Sequence, residues 1–304
     1  MRLVDLTTKP WQLMLPGEKE TSLNKMVYLP GTLDEFGVGH EDRLDNSCHP
    51  DETTAQSFDD DVIATRFTRK HTYEGPAYFE QEITIAPADK CRTFFEIERA
   101  RCVRVYLDGE EISSYEEQTI STPHVFELTG HEGIHRLCVE SDNSYPGLPH
   151  DAIVYSSAAT DETQTNWNGL LGYIRLREEN PIFLSQVRVY PKDGGKLRAE
   201  IDLDTYGEPF EGVLVLKSVM TSNSRKIIVA EDLLISSSAA NWDEYDGKLY
   251  ELTAALYKND LQSSESEINQ KEDEKTVSFG IRTFGDDGYG HLSLNGRRIF
   301  LRSE

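Results

Sequence analysis

Apolar and polar residues alternate with a period of two along most of this chain. AYFEQEITIA (77–86) alternates and is rich in β-branched and aromatic residues, RTFFEIERA (92–100) follows, HRLCVESDN (135–143) alternates again, and GYIRLRE (172–178) and SQVRVYP (185–191) complete a first block. That is the pattern of strands with one buried face. No stretch carries a 3.6-residue periodicity long enough for a major helix, and no fixed-period repeat is present. RVYLDGEEIS (104–113) reads as two short strands around Asp108-Gly109, a strong hairpin signal. Turn-rich SYPGLPHD (144–151) breaks the run. Short strands at this spacing predict a β-sandwich or jelly roll.

A second block follows PKDGG (191–195), whose Pro, Asp and Gly suit a domain joint. Five strands are expected in it: 196–207, 212–220, 225–235, 247–258 and 275–284. Together they fill about one immunoglobulin-sized domain. The polar segment 259–274 reads as a mobile loop. The chain closes on a tight hairpin, Leu294-Asn295-Gly296-Arg297, and an apolar strand, Arg298-Ile299-Phe300-Leu301. At 304 residues, two domains are the first expectation.

Composition narrows the partners. Asp and Glu total 54 against 31 Lys and Arg, a formal charge of −23. Such a surface repels phosphate backbones and anionic bilayers, which argues against nucleic acid and membrane partners. No apolar run approaches the roughly 20 residues that span a bilayer. The first residues, Met1-Arg2-Leu3-Val4-Asp5, lack a signal-peptide core. Cys48, Cys91, Cys102 and Cys138 show no paired spacing and read as small apolar groups on strands. These features lean to a cytoplasmic protein.

Candidate chemistry is sparse. His131-Glu132-Gly133-Ile134-His135 matches the zinc-protease pattern H-E-x-x-H, which needs both imidazoles on one helical face. Gly130 and Gly133 bracket it and a strand follows, so it reads as a surface turn. Gly194-Gly195 opens no helix and cradles no phosphate. Asp59-Asp60-Asp61 and Asp286-Asp287 read as solvated turns, since hard cations need convergent oxygens from several elements. No nucleophile elbow or cysteine–histidine pair is evident, so the catalytic and metal sets are empty. The long segment 145–176 is rich in Asp, Thr, Gln, Asn and Trp. Amides and carboxylates that bond hydroxyls, beside an aromatic face, suit a polar ligand. Asp161, Asn166 and Trp167 are its candidate substrate-binding residues, with core packing the competing role for Trp167 and turn formation that for Asn166.

Several stretches resemble the front of a glycoside hydrolase family 2 enzyme, the β-galactosidase and β-glucuronidase group. YEGPAYFEQEITI (73–85) resembles that family's Y-x-G-x-x-W/Y-Y strand. TDETQTNWNGLLGYIRL (160–176) resembles its N-W-x-G-I-x-G strand. NWDEYDGKLYELTAAL (241–256) resembles its W-x-P-x-x-P-x-L-Y-x-L stretch without the prolines. FGIRTF…LSLNGRRIFLRSE (279–304) resembles the motif joining its second domain to the catalytic barrel. The resemblance implies an all-β chain: a sugar-binding jelly roll at 1–190, an immunoglobulin-like β-sandwich at 191–284, and at 285–304 the first piece of a (β/α)₈ barrel. It implies a retaining parent acting on β-linked O-glycosides, with both catalytic glutamates beyond Glu304 and this chain inert alone. It assigns no cofactor here and leaves Mg²⁺ or Na⁺ to the barrel. Carbohydrate, the barrel itself and a second copy are the implied partners. Asp161 is the nearest match to a family aspartate that can reach a substrate hydroxyl, with Asn166 second; the resemblance lets His150 and Asp151 join the same substrate-binding mouth, with surface exposure the alternative. The alternative is a stand-alone carbohydrate-binding or purely structural module.

Overall fold

The structure, a computed structural model, describes residues 1–16, 25–41, 71–88, 90–112, 122–149, 166–192, 196–207, 212–218, 222–225, 229–234, 240–258 and 271–301. Among them there is no helix long and apolar enough to cross a membrane. The fold is all-β and divides into two compact units, Met1–Glu178 and Glu179–Glu304.

The first unit contains β1 (Arg2–Asp5), β2 (Trp11–Met14), β3 (Lys25–Val27), β4 (Gly31–Thr32), β5 (His40–Glu41), β6 (His71–Thr72), β7 (Pro76–Ile85), β8 (Arg92–Arg99), β9 (Cys102–Leu107), β10 (Glu110–Glu111), β11 (His124–Glu127), β12 (Gly133–Asp142) and β13 (Gly169–Glu179). One sheet runs β1-β13-β8-β11, with β4 also on β13; the other runs β10-β9-β12-β7-β2-β3. From β7 to β13 the chain crosses between the sheets at each step except the β9–β10 hairpin. That alternation is the jelly-roll form of a sandwich. Asp108 and Gly109 both take positive φ in that hairpin, as a tight primed turn demands.

The alternating side chains meet between the sheets. Ala77, Phe79, Ile83 and Ile85 of β7 face Phe95 and Ile97 of β8 and Ile174 and Leu176 of β13 across one cluster. Trp11 lies fully within it and ties its indole N–H to the Leu6 carbonyl at 3.0 Å. Each large side chain there contributes about 1.5–3 kcal/mol by leaving water. The outer face of the first sheet is also covered. The Glu96 carboxylate accepts from Arg175 Nε at 2.8 Å and Arg177 Nε at 2.6 Å. The Arg177 guanidinium in turn lies over the Phe94 ring at 4.5 Å. This explains why all of residues 92–97 are buried on a strand whose sequence alternates.

The second unit contains β14 (Phe183–Lys192), β15 (Lys196–Asp204), β16 (Gly212–Ser218), β17 (Ser222–Arg225), β18 (Val229–Leu234), β19 (Tyr250–Lys258), β20 (Lys271–Phe279), β21 (Phe284–Asp286), β22 (Leu292–Leu294) and β23 (Arg297–Arg298). Sheets β14-β15-β18 and β17-β16-β19-β20 form a seven-strand sandwich of immunoglobulin type. Leu197, Ala199 and Ile201 pack with Leu214, Leu216, Leu252, Leu256 and Phe279 in its core.

Three expectations are corrected here. Residues 183–190, expected inside a first domain at 1–190, belong to the second unit: as β14 they pair with β15, Lys192 opposite Lys196, so the segment expected as a domain joint is flanked by a hairpin's own strands. The polar run 271–274 is strand, not loop, because β19 offers it backbone partners out to Tyr257 and pairing outweighs composition. Residues 259–270 lie outside the described residues. The apolar strand expected over 298–301 ends at Arg298, because its partner β22 runs out; Ile299 N–H makes one further bond, to the Leu292 carbonyl at 2.9 Å. Phe300 and Leu301 are left exposed.

The closing hairpin is tied back to the segment before β19. Asn295 takes φ +53° beside Gly296 at +77°. Its Oδ1 accepts from Thr283 N at 3.0 Å, and its Nδ2 donates to the Trp242 carbonyl at 2.9 Å. Arg282 lies 5.0 Å from the Trp242 ring, and the Gly280 backbone packs so close that a Cβ would stand 3.0 Å from that of Trp242. Two motifs more than fifty residues apart are thus one structural element.

Asn295→Ala removes both side-chain bonds and adds left-handed strain, so it should cost the second unit about 2 kcal/mol; Asn295→Gly keeps the turn and should cost about 1 kcal/mol. Urea unfolding of the two variants measures this, and equal costs would show that the backbone angle contributes nothing.

Candidate functional site

Four strand ends of the first unit converge on two carboxamides. Asn143 directly follows β12, and Asn168 directly precedes β13. Asn143 Nδ2 donates to the carbonyls of Tyr73 and Asn166, both at 2.8 Å. Its Oδ1 accepts from Gly75 N at 2.9 Å. Asn166 Nδ2 returns a bond to the Asn143 carbonyl at 3.0 Å. Asn168 Nδ2 donates to the carbonyls of Gly75 at 2.7 Å and Ser141 at 3.0 Å, while its main-chain carbonyl accepts from Leu33 N at 2.9 Å. Asn143 and Asn168 are 1% and 3% exposed. Buried irregular backbone needs partners, and these two side chains supply them at the end of the sandwich.

Gly169 permits the close approach. It takes φ +143° opposite Thr32, and a Cβ there would lie 2.3 Å from the Gly31 carbonyl oxygen. Only glycine fits.

Arg101 backs this end of the sandwich. It is 2% exposed, its Nε donates to the Trp167 carbonyl at 3.2 Å, and one terminal nitrogen donates to the Tyr145 hydroxyl at 2.8 Å. Its guanidinium stacks 4.4 Å from the Trp167 ring. Burial lowers its pKa, partly offset by Tyr145. Burial likewise raises that of Tyr145, with Arg101 opposing. One face of Trp167 is therefore committed to the protein, while the residue remains half-exposed.

Beside this network lies a cavity of about 120 Å³, lined by Asp34, His71, Tyr73, Asn166, Trp167 and Asn168, with Thr32, Leu33 and Leu171. Asp34 Oδ1 accepts from His71 N at 2.8 Å and meets His71 Nδ1 at 3.3 Å. Tyr73 donates its hydroxyl to the Pro76 carbonyl at 2.7 Å. The chemistry on offer is amide, carboxylate, imidazole and an indole edge, which suits a small hydroxylated ligand.

Of the residues expected at a polar-ligand site, the structure brings Asn166 and Trp167 together on this cavity. His150 and Asp161 lie outside the described residues. Asp34, His71, Tyr73, Asn143 and Asn168 were not singled out in sequence. The signal open to use was polar residues flanking strands within the matching stretches, at Tyr73-Glu74-Gly75 and Asn166-Trp167-Asn168.

The H-E-x-x-H stretch is a turn leading into β12, which begins at Gly133 with φ +131°. His135 Nδ1 meets Asp108 Oδ2 at 2.7 Å. The Arg136 amide, then the His135 ring, hold the Asp108 carboxyl below its usual range, and the bond to Asp108 raises the His135 imidazole. Asp287 turns its acidic pair inward on its own loop, accepting from Tyr289 N at 2.9 Å and His291 N at 3.2 Å. Burial pushes the Cys102 thiol up to about 11 and the Cys138 thiol up to about 12, so neither is a ready thiolate. Cys48 and Asp59-Asp60-Asp61 lie outside the described residues.

No protein-family model matches this chain, and no curated protein matches it. Solved structures do. A family 2 β-galacturonidase from Eisenbergiella tayi bound to galacturonate is similar over 98% of this chain and 46% of its own, at TM-score 0.65 and 18% identity. A family 2 β-glucuronidase is similar over 98% of this chain and 32% of its own, at TM-score 0.68 and 16% identity. A β-glycosidase from Bacteroides vulgatus gives 98%, 36%, TM-score 0.65 and 14% identity. The chain thus has the fold of a stretch of these glycoside hydrolases and spans less than half their length. The first two are named as members of the family whose motifs the sequence resembles.

Asn143→Ala removes the side-chain bonds that Asn143 makes to Gly75 N–H and to the Tyr73 and Asn166 carbonyls in a buried place. It should cost about 3 kcal/mol and lower the first unit's thermal midpoint by roughly 6–12 °C in calorimetry. A second expectation concerns pH. The raised His135 pKa gives stability that is present below the unfolded value, near 6.5, and is lost as pH rises through the folded value. The depressed Asp108 pKa gives stability present above about 4 and lost as pH falls through its folded value. His135→Gln should flatten the decline in stability above about pH 6.5, read by urea midpoints at stepped pH. An unchanged slope would remove the pair from the account.

Proposed function

We propose that this chain is the non-catalytic sugar-binding and scaffold region of a retaining family 2 glycoside hydrolase that acts on β-linked O-glycosides. One observation carries the reading. The fold likeness runs over 98% of the chain, both units included, yet takes up only 32–46% of enzymes named as β-galacturonidase, β-glucuronidase and β-glycosidase. The motif resemblance supports the same family independently of the fold.

In this reading the chemistry lies in a following barrel. There, one carboxyl protonates the leaving oxygen, and a second, roughly 5–5.5 Å away, forms the glycosyl intermediate. The Asn295–Trp242 clamp fixes how the chain leaves the second sandwich. The cavity at the end of the first unit, with Asn166 and Trp167, contributes sugar contacts, joined by Asp161 and His150. None of these groups acts on a bond; they bind and orient, and so raise the rate through positioning.

The test compares two polypeptides on 4-nitrophenyl β-glycosides: this 304-residue chain and the full product of its gene. The chain alone should release no nitrophenol. The full product should hydrolyse at least one substrate with retention of anomeric configuration by NMR, and Asn166→Ala should lower its kcat/KM about tenfold without changing its melting temperature. A gene product that ends at this chain, or a full product inert on every β-glycoside, would leave the stand-alone module as the reading instead.

A further inference from the structure

We propose that Asn295 is a site of spontaneous deamidation and that its clamp onto Trp242 is the gate that controls the reaction. The inference stands apart from the carbohydrate reading, since it concerns only the closing hairpin of the second unit.

The chain holds two Asn-Gly dipeptides, Asn168-Gly169 and Asn295-Gly296. This pair is chemically vulnerable because glycine has no Cβ to shield its amide nitrogen. That nitrogen attacks Cγ of the asparagine. A bond forms between the glycine nitrogen and Cγ, the Cγ–Nδ2 bond breaks, and ammonia departs with the proton the glycine nitrogen gives up. Water then opens the cyclic imide at either carbonyl. The products are aspartate and its isomer, in which the main chain runs through Cγ. Water is the only co-reactant.

Attack requires the side chain to swing over the following nitrogen, so bonds that hold the carboxamide elsewhere oppose it. Asn168 is 3% exposed, and its Nδ2 is bonded to the Gly75 and Ser141 carbonyls. Its Gly169 lies against the Gly31 backbone. Freeing that carboxamide means unfolding the end of the first sandwich. Asn295 differs in its surroundings. It is partly exposed in a surface turn, Gly296 is exposed, and nothing stands within 4 Å of where a Gly296 Cβ would be. Its carboxamide is held by Thr283 N–H at 3.0 Å and the Trp242 carbonyl at 2.9 Å. Trp242 is itself fastened locally, by its N–H to the Ile281 carbonyl at 2.8 Å, by Arg282 over its ring, and by the neighbouring exposed ion pair of Glu244 with Arg297. Exposed bonds of this kind open at lower cost than a whole unit unfolds. Asn295 therefore reacts through local opening of the clamp, and Asn168 only through global opening.

The product keeps the clamp open. Aspartate at 295 still accepts from Thr283 N–H but has no N–H for the Trp242 carbonyl and sets a carboxylate against it. The isomer also lengthens the main chain within a tight turn. The modification thus records that the clamp has opened and releases β22 and β23 from the segment before β19.

The full 304-residue chain is incubated in mildly alkaline buffer, folded or unfolded in urea, and then digested with trypsin. Mass spectrometry of the 283–297 peptide, in which Asn295 is the sole asparagine, reads the conversion of amide to carboxyl. The folded chain should convert Asn295 about tenfold or more slowly than the unfolded one, and about tenfold or more faster than it converts Asn168. Gly280→Ala sets a Cβ 3.0 Å from that of Trp242; it should bring the folded rate at Asn295 to within about threefold of the unfolded rate and leave Asn168 unchanged. Asn295→Asp, which imitates the product, should speed hydrogen exchange at the Trp242 amide. An unfolded chain that does not convert Asn295 overturns the site. Equal rates in folded and unfolded chains, a rate unmoved in folded Gly280→Ala, or Asn168 converting as fast as Asn295 overturns the gate. Trp242 exchange in Asn295→Asp as slow as in the unmodified chain overturns the release.

Discussion

The end of the first sandwich depends on the side-chain amides of Asn143 and Asn168. Sheets supply hydrogen bonds along their strands and none at their ends. Here β4, β7, β12 and β13 all terminate or begin within a few residues of one another, drawn from both sheets. Five backbone groups bond those two side chains: Gly75 N–H and the carbonyls of Tyr73, Gly75, Ser141 and Asn166. Each bond is worth only about 1 kcal/mol net, but an unmade one in a buried place costs about 1–3 kcal/mol. The asymmetry explains why asparagine, with two donors and a two-lone-pair acceptor, stands at both positions.

The same network explains the cavity. Because Gly169 meets Gly31 at backbone contact, β4 is held against β13, and the turn after it brings Asp34 beside His71. Because Asn143 fixes the Tyr73 and Asn166 carbonyls, their side chains stand at the rim rather than within the core. Arg101 then braces Trp167 from behind. Packing density, charge and polar chemistry at this end are set by backbone needs first, and the binding surface follows from them.

Much of the architecture was legible in the sequence because a strand with one buried face must alternate. β7, β9, β12 and β13 do so, and Asp108-Gly109 and Asn295-Gly296 are hairpins as their residue types require. Less legible were elements whose identity comes from a partner. Lys271–Glu274 is polar, yet β19 recruits it, and β14 belongs with β15 because the two pair. The strands before residue 42 are two to four residues long, too short to show a period, although Trp11 is as buried as any residue in the unit. At the candidate site, Asn166 and Trp167 could be read from composition and motif. Asn143 and Asn168 could not, since a turn asparagine and a hub asparagine look alike until the chain is folded. Asp34 and His71 lie 37 residues apart and meet only in three dimensions.

The most direct test of this account is native-state hydrogen exchange at the Gly75 amide, bonded to Asn143 Oδ1, and at the Leu33 amide, bonded to the main-chain carbonyl of Asn168, whose side chain is tied to Gly75 and Ser141. If the two carboxamides hold the sandwich end as a rigid unit, both amides should exchange as slowly as those inside β7 and β13, through global unfolding of the first unit. Exchange at the rate of an open loop would contradict the account, because a network that opens freely can neither fix the strand ends nor keep a cavity shaped for a ligand.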